Sequence, residues 1–226
     1  MKIVMVRKVL GHNDRRAAAL RKRFARGQVL AVNLLGSPGS GKTSLLEKLI
    51  PRLKKRRATA AVIEGDIATA LDAARIERAG APAVQITTRG ICHLDAAMVA
   101  SAVRKLGKLP QFLFIENVGN LVCPAAFDLG EAERIVVLSV PEDDDKPAKY
   151  PEAFAGATAM VINKLDLGEH CKFGRAKAVL SARSVNPGLA VFETSCTDGF
   201  GIAELADWLL ARRAERFSTG VRRPAR

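Results

Sequence analysis

An eight-residue stretch, Gly36-Ser37-Pro38-Gly39-Ser40-Gly41-Lys42-Thr43, follows the apolar run Val29–Leu35 and leads into a segment rich in helix formers. A Gly-x-x-x-x-Gly-Lys-Thr pattern between a strand and a helix constrains the fold more than any other feature of the chain, because it needs an α/β framework to present it. Small residues let backbone N–H groups close around phosphates, and the first turn of the helix adds a favourable partial charge. Lys42 is placed to reach the β- and γ-phosphates and Thr43 to offer a hydroxyl to Mg²⁺. Gly36, Gly39, Ser40, Gly41 and Ser44 complete the expected cradle. The alternative, a glycine-rich turn that binds nothing, does not account for the strand before it and the helix after it.

The remainder of the chain has the alternation such a loop requires. Strand-length apolar runs at Val29–Leu35, Ala60–Glu64, Ala83–Thr87, Phe112–Glu116, Ile135–Val140, Ala159–Asn163 and Ala190–Thr194 are separated by helical stretches. Continuous Val/Ile/Leu/Ala runs indicate strands buried on both faces, so the expectation is a mainly parallel sheet flanked by helices, the P-loop NTPase class of α/β fold. Ligands of such folds bind outside the carboxyl ends of the strands. Asn13 to Gly27 reads as a cationic helix, capped by Asn13 or Asp14 and stopped at Gly27. The expected organisation is a basic helical extension over 1–28, a nucleotide-binding domain over 29–211 and a basic, disordered tail over 212–226.

The net charge of +13 raises the question of a polyanionic partner, and its distribution answers it. Residues 1–28 contribute +8 and residues 212–226 contribute +5, leaving 29–211 neutral with 21 basic and 21 acidic residues. Both ends read as solvated arms, no aromatic interleaving accompanies them, and nucleic acid is not an expected partner. No apolar run approaches the roughly 18 residues of a membrane span, and Met1–Val6 is too short for the apolar region of a signal peptide. A cytoplasmic location follows as the expectation. Four cysteines do not make a disulfide framework in a chain of this size, and in a reducing compartment they remain available as thiols or metal ligands.

Base choice is assigned to Asn163-Lys164-Leu165-Asp166, just after an apolar strand. A carboxylate at Asp166 can accept hydrogen bonds from the guanine N1–H and exocyclic amine, a pattern adenine cannot satisfy. Thr194-Ser195-Cys196 closes another strand and reinforces the assignment, with Ser195 and Cys196 as further base-loop residues. A turn in which Asn163 and Asp166 merely cap the next helix is the competing reading. Asp66 and Glu116, at the ends of two strands, are candidates to complete the Mg²⁺ site with Thr43, since hard oxygen donors suit that ion. Either acid could instead polarise the attacking water, and either could simply cap a following segment. Lys42, Asp66 and Glu116 are the candidate catalytic residues.

Cys92-His93 falls between a strand and a helix expected from about Leu94, and a thiol at a helix N-terminus is biased toward thiolate. Cys123 lies seven residues beyond Glu116 in Glu116-Asn117-Val118-Gly119-Asn120-Leu121-Val122-Cys123-Pro124, so a loop moved by the γ-phosphate at Glu116 and Gly119 would carry it. Cysteine and histidine favour Zn²⁺, Ni²⁺ or copper over Mg²⁺. On residue types alone a buried structural role fits Cys92 and Cys123 as readily. Three side chains leave a fourth ligand position to water or to a second protomer. His170-Cys171, read as opening a helix, and Cys196 make weaker candidates.

Together these residues resemble the HypB family, GTPases that help deliver nickel to nickel–iron hydrogenase. The resemblance spans Val29 to Ala211 and is most specific at Cys92-His93-Leu94-Asp95-Ala96, at Glu116 through Pro124, and at Asp144-Asp145-Lys146-Pro147 with Lys149-Tyr150-Pro151. It implies slow, Mg²⁺-dependent hydrolysis of GTP to GDP and nucleotide-dependent homodimerisation. It also implies nickel or zinc at the subunit interface on Cys92, His93 and Cys123, with a HypA-type nickel chaperone and the hydrogenase large subunit as partners. The Cys-His spacing and the Glu116–Pro124 run match this group rather than its urease-type counterpart. A non-enzymatic metal-binding module is the remaining alternative. Three departures stand out: Ile91 and Asp143 occupy positions where the family usually has Gly, and only His12 precedes the phosphate loop, so no terminal nickel-storage tract is expected.

Overall fold

The structure is a computed structural model and describes residues 4–66 and 71–218. In chain order the elements are α1 (Val4–Arg26), β1 (Leu30–Leu35), α2 (Lys42–Lys55), β2 (Ala60–Asp66), α3 (Leu71–Ala79), β3 (Ala83–Thr87), α4 (Ala96–Leu106) and β4 (Phe112–Glu116). They continue with β5 (Glu133–Ser139), α5 (Lys146–Lys149), α6 (Pro151–Ala155), β6 (Ala159–Asn163), α7 (Arg175–Val185), β7 (Ala190–Glu193) and α8 (Ile202–Phe217). The seven strands form one sheet in the order β3-β2-β4-β1-β5-β6-β7, and every pairing is parallel. The expected fold class is therefore present, and among the described residues the sheet has no antiparallel strand.

The two-residue period of a strand sends alternate side chains to opposite faces, and β1 shows the result. Leu30, Val32 and Leu34 pack with Leu45, Leu49 and Leu53 of α2 and Leu205 and Leu209 of α8. Val29 and Ala31 point the other way, into a cluster with Val99 and Val103 of α4. A third cluster joins Leu35, Val136, Leu138, Met160 and Ile162 to Ala178 and Ala182 of α7. Both faces are covered, which is why the strands read as unbroken apolar runs.

Two expectations about the chain ends need correction. The N-terminal helix begins at Val4 rather than at Asn13, and it is not a solvated arm. Ala17, Leu20 and Phe24 along one of its faces are 0–4% exposed and belong to the α4 cluster. Asn13, predicted as a cap, sits within the helix; its side chain donates to Asp128 O at 2.8 Å and accepts from Ala96 N at 2.8 Å. Burying Leu20 and Phe24 contributes roughly 1.5–3 kcal/mol each, against about 1 kcal/mol at most for the half-exposed Arg21–Asp128 pair, so packing rather than charge holds α1 in place. At the other end α8 runs through Phe217, six residues into the predicted tail. Arg212 bonds Glu133 at 2.9 Å and Arg213 donates to Gln28 O at 2.9 Å, so these tail residues are engaged with the domain. The rest of the predicted tail, 219–226, lies outside the described residues, as do 1–3 of the predicted extension.

Candidate functional site

The phosphate loop leaves β1, the central strand, and enters α2. Its backbone is tight: a methyl group on Gly36 would stand 2.5 Å from Val137 O, and Gly41 has φ +93° with its Cα hydrogen position facing the Asn163 amide. Neither position accepts a side chain without displacement. Lys42 is 6% exposed and its Nζ donates to Gly36 O at 3.1 Å and Ser37 O at 3.2 Å. Burial pushes its pKa down, opposed by the charge of Glu116. A cavity of about 410 Å³ opens here, and its lining includes Gly39, Gly41, Lys42, Thr43, Ser44, Glu64, Asp66 and Glu116. Gly36 and the buried Ser40 shape the turn beneath it.

The acids at its base form a closer arrangement than the sequence indicated. Glu116, 6% exposed, accepts from Thr43 Oγ1 at 2.8 Å, joining two residues 73 positions apart. Glu64, absent from the candidate set, is 2% exposed and lies opposite Glu116 in the β2–β4 register. The two carboxyls are within hydrogen-bonding reach, and burial together with the charge of Glu116 pushes the Glu64 pKa up to about 10. Burial raises Glu116 too, while Lys42 and Thr43 oppose the rise. Two buried carboxylates in contact cannot both ionise, so the pair holds a proton at neutral pH. Glu64 Oε1 and Glu116 Oε2 are buried without a hydrogen-bond partner. Hard, unsatisfied oxygens beside the Thr43 hydroxyl are a donor set that fits a divalent cation. Asp66, two residues along β2 from Glu64, lines the same cavity.

The predicted base-reading residues gather around Asn163. Its amide donates to Ser40 O at 3.0 Å, and its oxygen accepts from Thr194 Oγ1 at 3.0 Å and from the Cys196 thiol at 3.4 Å. Lys164, at φ +63°, reaches Gly39 O at 2.6 Å and lines the cavity. The base segment is thus fastened to the phosphate loop at two points. Asp166 is exposed and accepts from Thr197 Oγ1 at 3.0 Å. Ser195 is buried next to Cys196, whose thiol is held above its usual pKa by burial. Asp166, Ser195 and Cys196 border Asn163 and Lys164 rather than the phosphate cavity.

Cys92, His93 and Cys123 are brought to one neighbourhood. The Cys92 thiol lies beside Cys123, which raises its pKa, and its Sγ lies 3.9 Å from His93 Nδ1. The expected helix start at Leu94 is displaced: α4 begins at Ala96, with Asp95 as its cap accepting from Met98 N at 2.7 Å. Cys92 is therefore beyond the first turn, and no helix terminus biases it toward thiolate. The His93 ring stacks on Phe127 with centroids 3.9 Å apart, and burial lowers its pKa, which keeps the imidazole neutral. Among the described residues no group of three or more His, Cys, Asp or Glu side chains is arranged to hold a metal. The thiol pair is assembled; the imidazole faces Phe127. His170-Cys171 closes a 3₁₀ turn, Leu165–His170, rather than opening a helix.

Sequence reading also missed Asn117 and Asn120, which tie the Cys92 segment to the nucleotide site. Asn117 Oδ1 accepts from Leu94 N at 3.1 Å, and Asn120 Nδ2 reaches Cys92 O at 3.4 Å. The available signal was their place in the run between Glu116 and Cys123; for Glu64 it was a carboxylate inside an otherwise apolar strand.

The family described as "CobW/HypB/UreG, nucleotide-binding domain" matches residues 30–193. The hydrogenase maturation factor HypB of Azotobacter vinelandii is 51% identical over 214 residues, 94% of this chain and 70% of the relative. That of Escherichia coli K12 is 49% identical over 91% of this chain and 71% of the relative. Among solved structures, HypB from Helicobacter pylori in complex with nickel superposes with a TM-score of 0.86 at 38% identity, covering 91% of this chain and 97% of that one.

Proposed function

Because the chain belongs to the HypB family of hydrogenase maturation factors, within the CobW/HypB/UreG nucleotide-binding group, we propose that it hydrolyses GTP to GDP and phosphate to drive nickel insertion into hydrogenase. The observation that carries this reading is one segment with two ends. Glu116 touches Thr43 at the floor of the phosphate cavity, and Cys123, seven residues on, meets Cys92.

In this reading the loop from Gly36 to Ser44 cradles the phosphates with its backbone N–H groups, and the Lys42 ammonium leaves its two carbonyl partners for the β- and γ-oxygens. Asp166 accepts from guanine, held in register by Asn163 and Lys164, with Ser195 and Cys196 behind the base. Thr43 and Glu116, with Asp66 at the cavity wall, would hold Mg²⁺, which supplies neutralisation of the charge on the phosphate oxygens. Either Asp66 or Glu116 orients the attacking water. Nickel is cargo, taken by the thiols of Cys92 and Cys123 with His93 as the nitrogen donor, and zinc would use the same donors. Ile91 and Val122, 43% and 59% exposed, flank the two cysteines with apolar surface. That suits a homodimer in which a second copy covers this face and completes the ligand set. A HypA-type chaperone and the hydrogenase large subunit are the proposed donor and recipient, in the cytoplasm; no described helix is long and apolar enough to cross a membrane. The domain in this reading runs from α1 through α8 without a separate arm.

A urease-only role is not favoured: the relative from Helicobacter hepaticus described as "Hydrogenase/urease maturation factor HypB" is 40% identical, below the 51% of the hydrogenase maturation factor of Azotobacter vinelandii. Gel filtration with GDP, a GTP analogue and Ni²⁺ tests the proposal. The expected result is dimerisation with the analogue, lost in Lys42→Ala, and nickel binding reduced in Cys92→Ala. Full nickel stoichiometry and affinity in Cys92→Ala would refute the metal assignment.

A further inference from the structure

The segment 88–95, which carries Cys92 and His93, has several attachments that lead to the nucleotide site. Thr88 N donates to Asp66 O at 2.9 Å at the end of β2. The Leu94 side chain covers Gly65 so closely that a methyl group there would stand 2.8 Å from it. Leu94 N donates to Asn117, whose Nδ2 reaches Asn33 Oδ1 of β1 at 3.4 Å. At its far end Ala96 N is held by Asn13 of α1.

One attachment reaches the cysteine itself. Asn120 Nδ2 donates to Cys92 O at 3.4 Å, while Asn120 Oδ1 accepts from Val122 N at 2.9 Å, one residue before Cys123. The same amide thus spans both cysteine-bearing segments. The Asn120 backbone forms an antiparallel bridge with Gly36, the first residue of the phosphate loop. Its neighbour Gly119 lies against Pro38, and a methyl group on Gly119 would meet Pro38 Cγ at 2.9 Å. Residues 116–119 also form a wall of the phosphate cavity. Whatever occupies that cavity presses on the stretch from which the Asn120 side chain extends.

We propose that the Asn120 amide is the positioning group through which nucleotide state sets the spacing of Cys92 and Cys123, and hence nickel affinity. This rests on the reading that those thiols take up nickel. Coupling between two sites requires an element in contact with both whose arrangement differs between states. The residues 119–120 meet the contact requirement: backbone on Gly36 and Pro38, side chain on Cys92 O and Val122 N. Asn117 is buried and shared with the cavity wall, so its loss would disturb nucleotide binding directly; Asn120 lies outside the cavity lining and separates the two effects.

The test compares Ni²⁺ affinity of the full chain loaded with GDP and with a non-hydrolysable GTP analogue, at fixed protein concentration, in the wild type, Asn120→Ala and Asn120→Asp. Asn120→Asp retains the acceptor for Val122 N and loses only the donor to Cys92 O. Any uniform effect of its added charge cancels in the ratio of the two affinities. Coupling factors between sites are typically about 5–150-fold. The expected outcome is a wild-type ratio in that range, falling to within about twofold of unity in both variants, with nucleotide affinity unchanged and the nickel–thiolate absorption band retained. A coupled wild type with equally coupled variants overturns the role of Asn120 and leaves the proposed function standing. A wild-type ratio of unity overturns the nucleotide–nickel coupling and the role of Asn120 with it.

Discussion

Replacing Glu64 by Gln should stabilise the nucleotide-free, magnesium-free chain, and the effect should grow with pH. The side chain is 2% exposed and its folded pKa stands at about 10 against an ordinary 4.5. A group whose folded pKa is raised gives its full stabilisation below the unfolded value and loses it as pH climbs through the folded value. Between pH 4.5 and about 10 the unfolded chain has released the proton while the folded chain keeps it, so each pH unit costs about 1.4 kcal/mol. At pH 7 the accumulated cost is about 3 kcal/mol, and from pH 7 to 8.5 about 2 kcal/mol more is lost. A neutral amide of the same shape avoids this titration and can donate to Glu116 in place of the carboxylic acid. Urea unfolding in EDTA provides the measurement: with a slope near 3 kcal/mol per molar, the midpoint of the Glu64→Gln variant at pH 7 should lie about 1 M higher, and the gap should widen toward pH 8.5. The same variant should bind the magnesium–nucleotide complex more weakly, since it removes a buried oxygen donor beside Glu116. A wild-type midpoint that does not fall between pH 7 and 8.5, or a Glu64→Gln variant no more stable than wild type at either pH, would refute the shared-proton pair.

Phe24→Ala tests whether α1 belongs to the domain: a fully enclosed Phe truncated to Ala costs about 3–5 kcal/mol, read as a lowered urea midpoint, whereas a dispensable arm would leave the midpoint unmoved. Asp166→Asn should shift base preference from guanine toward its xanthine analogue by at least about tenfold, measured by competition binding; unchanged preference for GTP would remove Asp166 from the base site.

The sheet was legible because strands buried on both faces leave little but apolar residues in the sequence, and each expected run matches an observed strand to within two residues at either end. Ala60–Glu64, for example, starts where expected and continues to Asp66. What escaped depended on residues distant in sequence. Glu64 and Glu116 meet only through the β2–β4 register, and neither strand alone states that pairing. The packed face of α1 was hidden by charge: Ala17, Leu20 and Phe24 recur at helical spacing, but nine basic residues surround them and suggest a solvated arm. The cap of α4 was misplaced by two residues because His93-Leu94 looks like a first turn, although Asp95 has the better capping chemistry. The two cysteine-bearing loops could be matched from sequence, but the turning of His93 onto Phe127 depends on a ring contributed by a distant segment.

The energetics of transfer limit what such a device can achieve. Hydrolysis helps release nickel only by the ratio of affinities in the two nucleotide states, however tightly either state binds. Moving an ion from almost fully bound to almost fully free needs a change of about 10⁴ in the equilibrium, whereas coupling between two sites in one chain is typically about 5–150-fold. One chain with two thiols and an averted imidazole therefore falls short. If one ion is held jointly by two copies and both change nucleotide state, the factors multiply, and about 100-fold from each reaches the requirement. The exposed Ile91 and Val122 beside the thiols offer the apolar surface that such sharing would need. Under the proposed homodimer, a site shared between protomers would make release depend on two hydrolysis events, and linkage would then require that nickel favour the same assembly as the GTP-bound state.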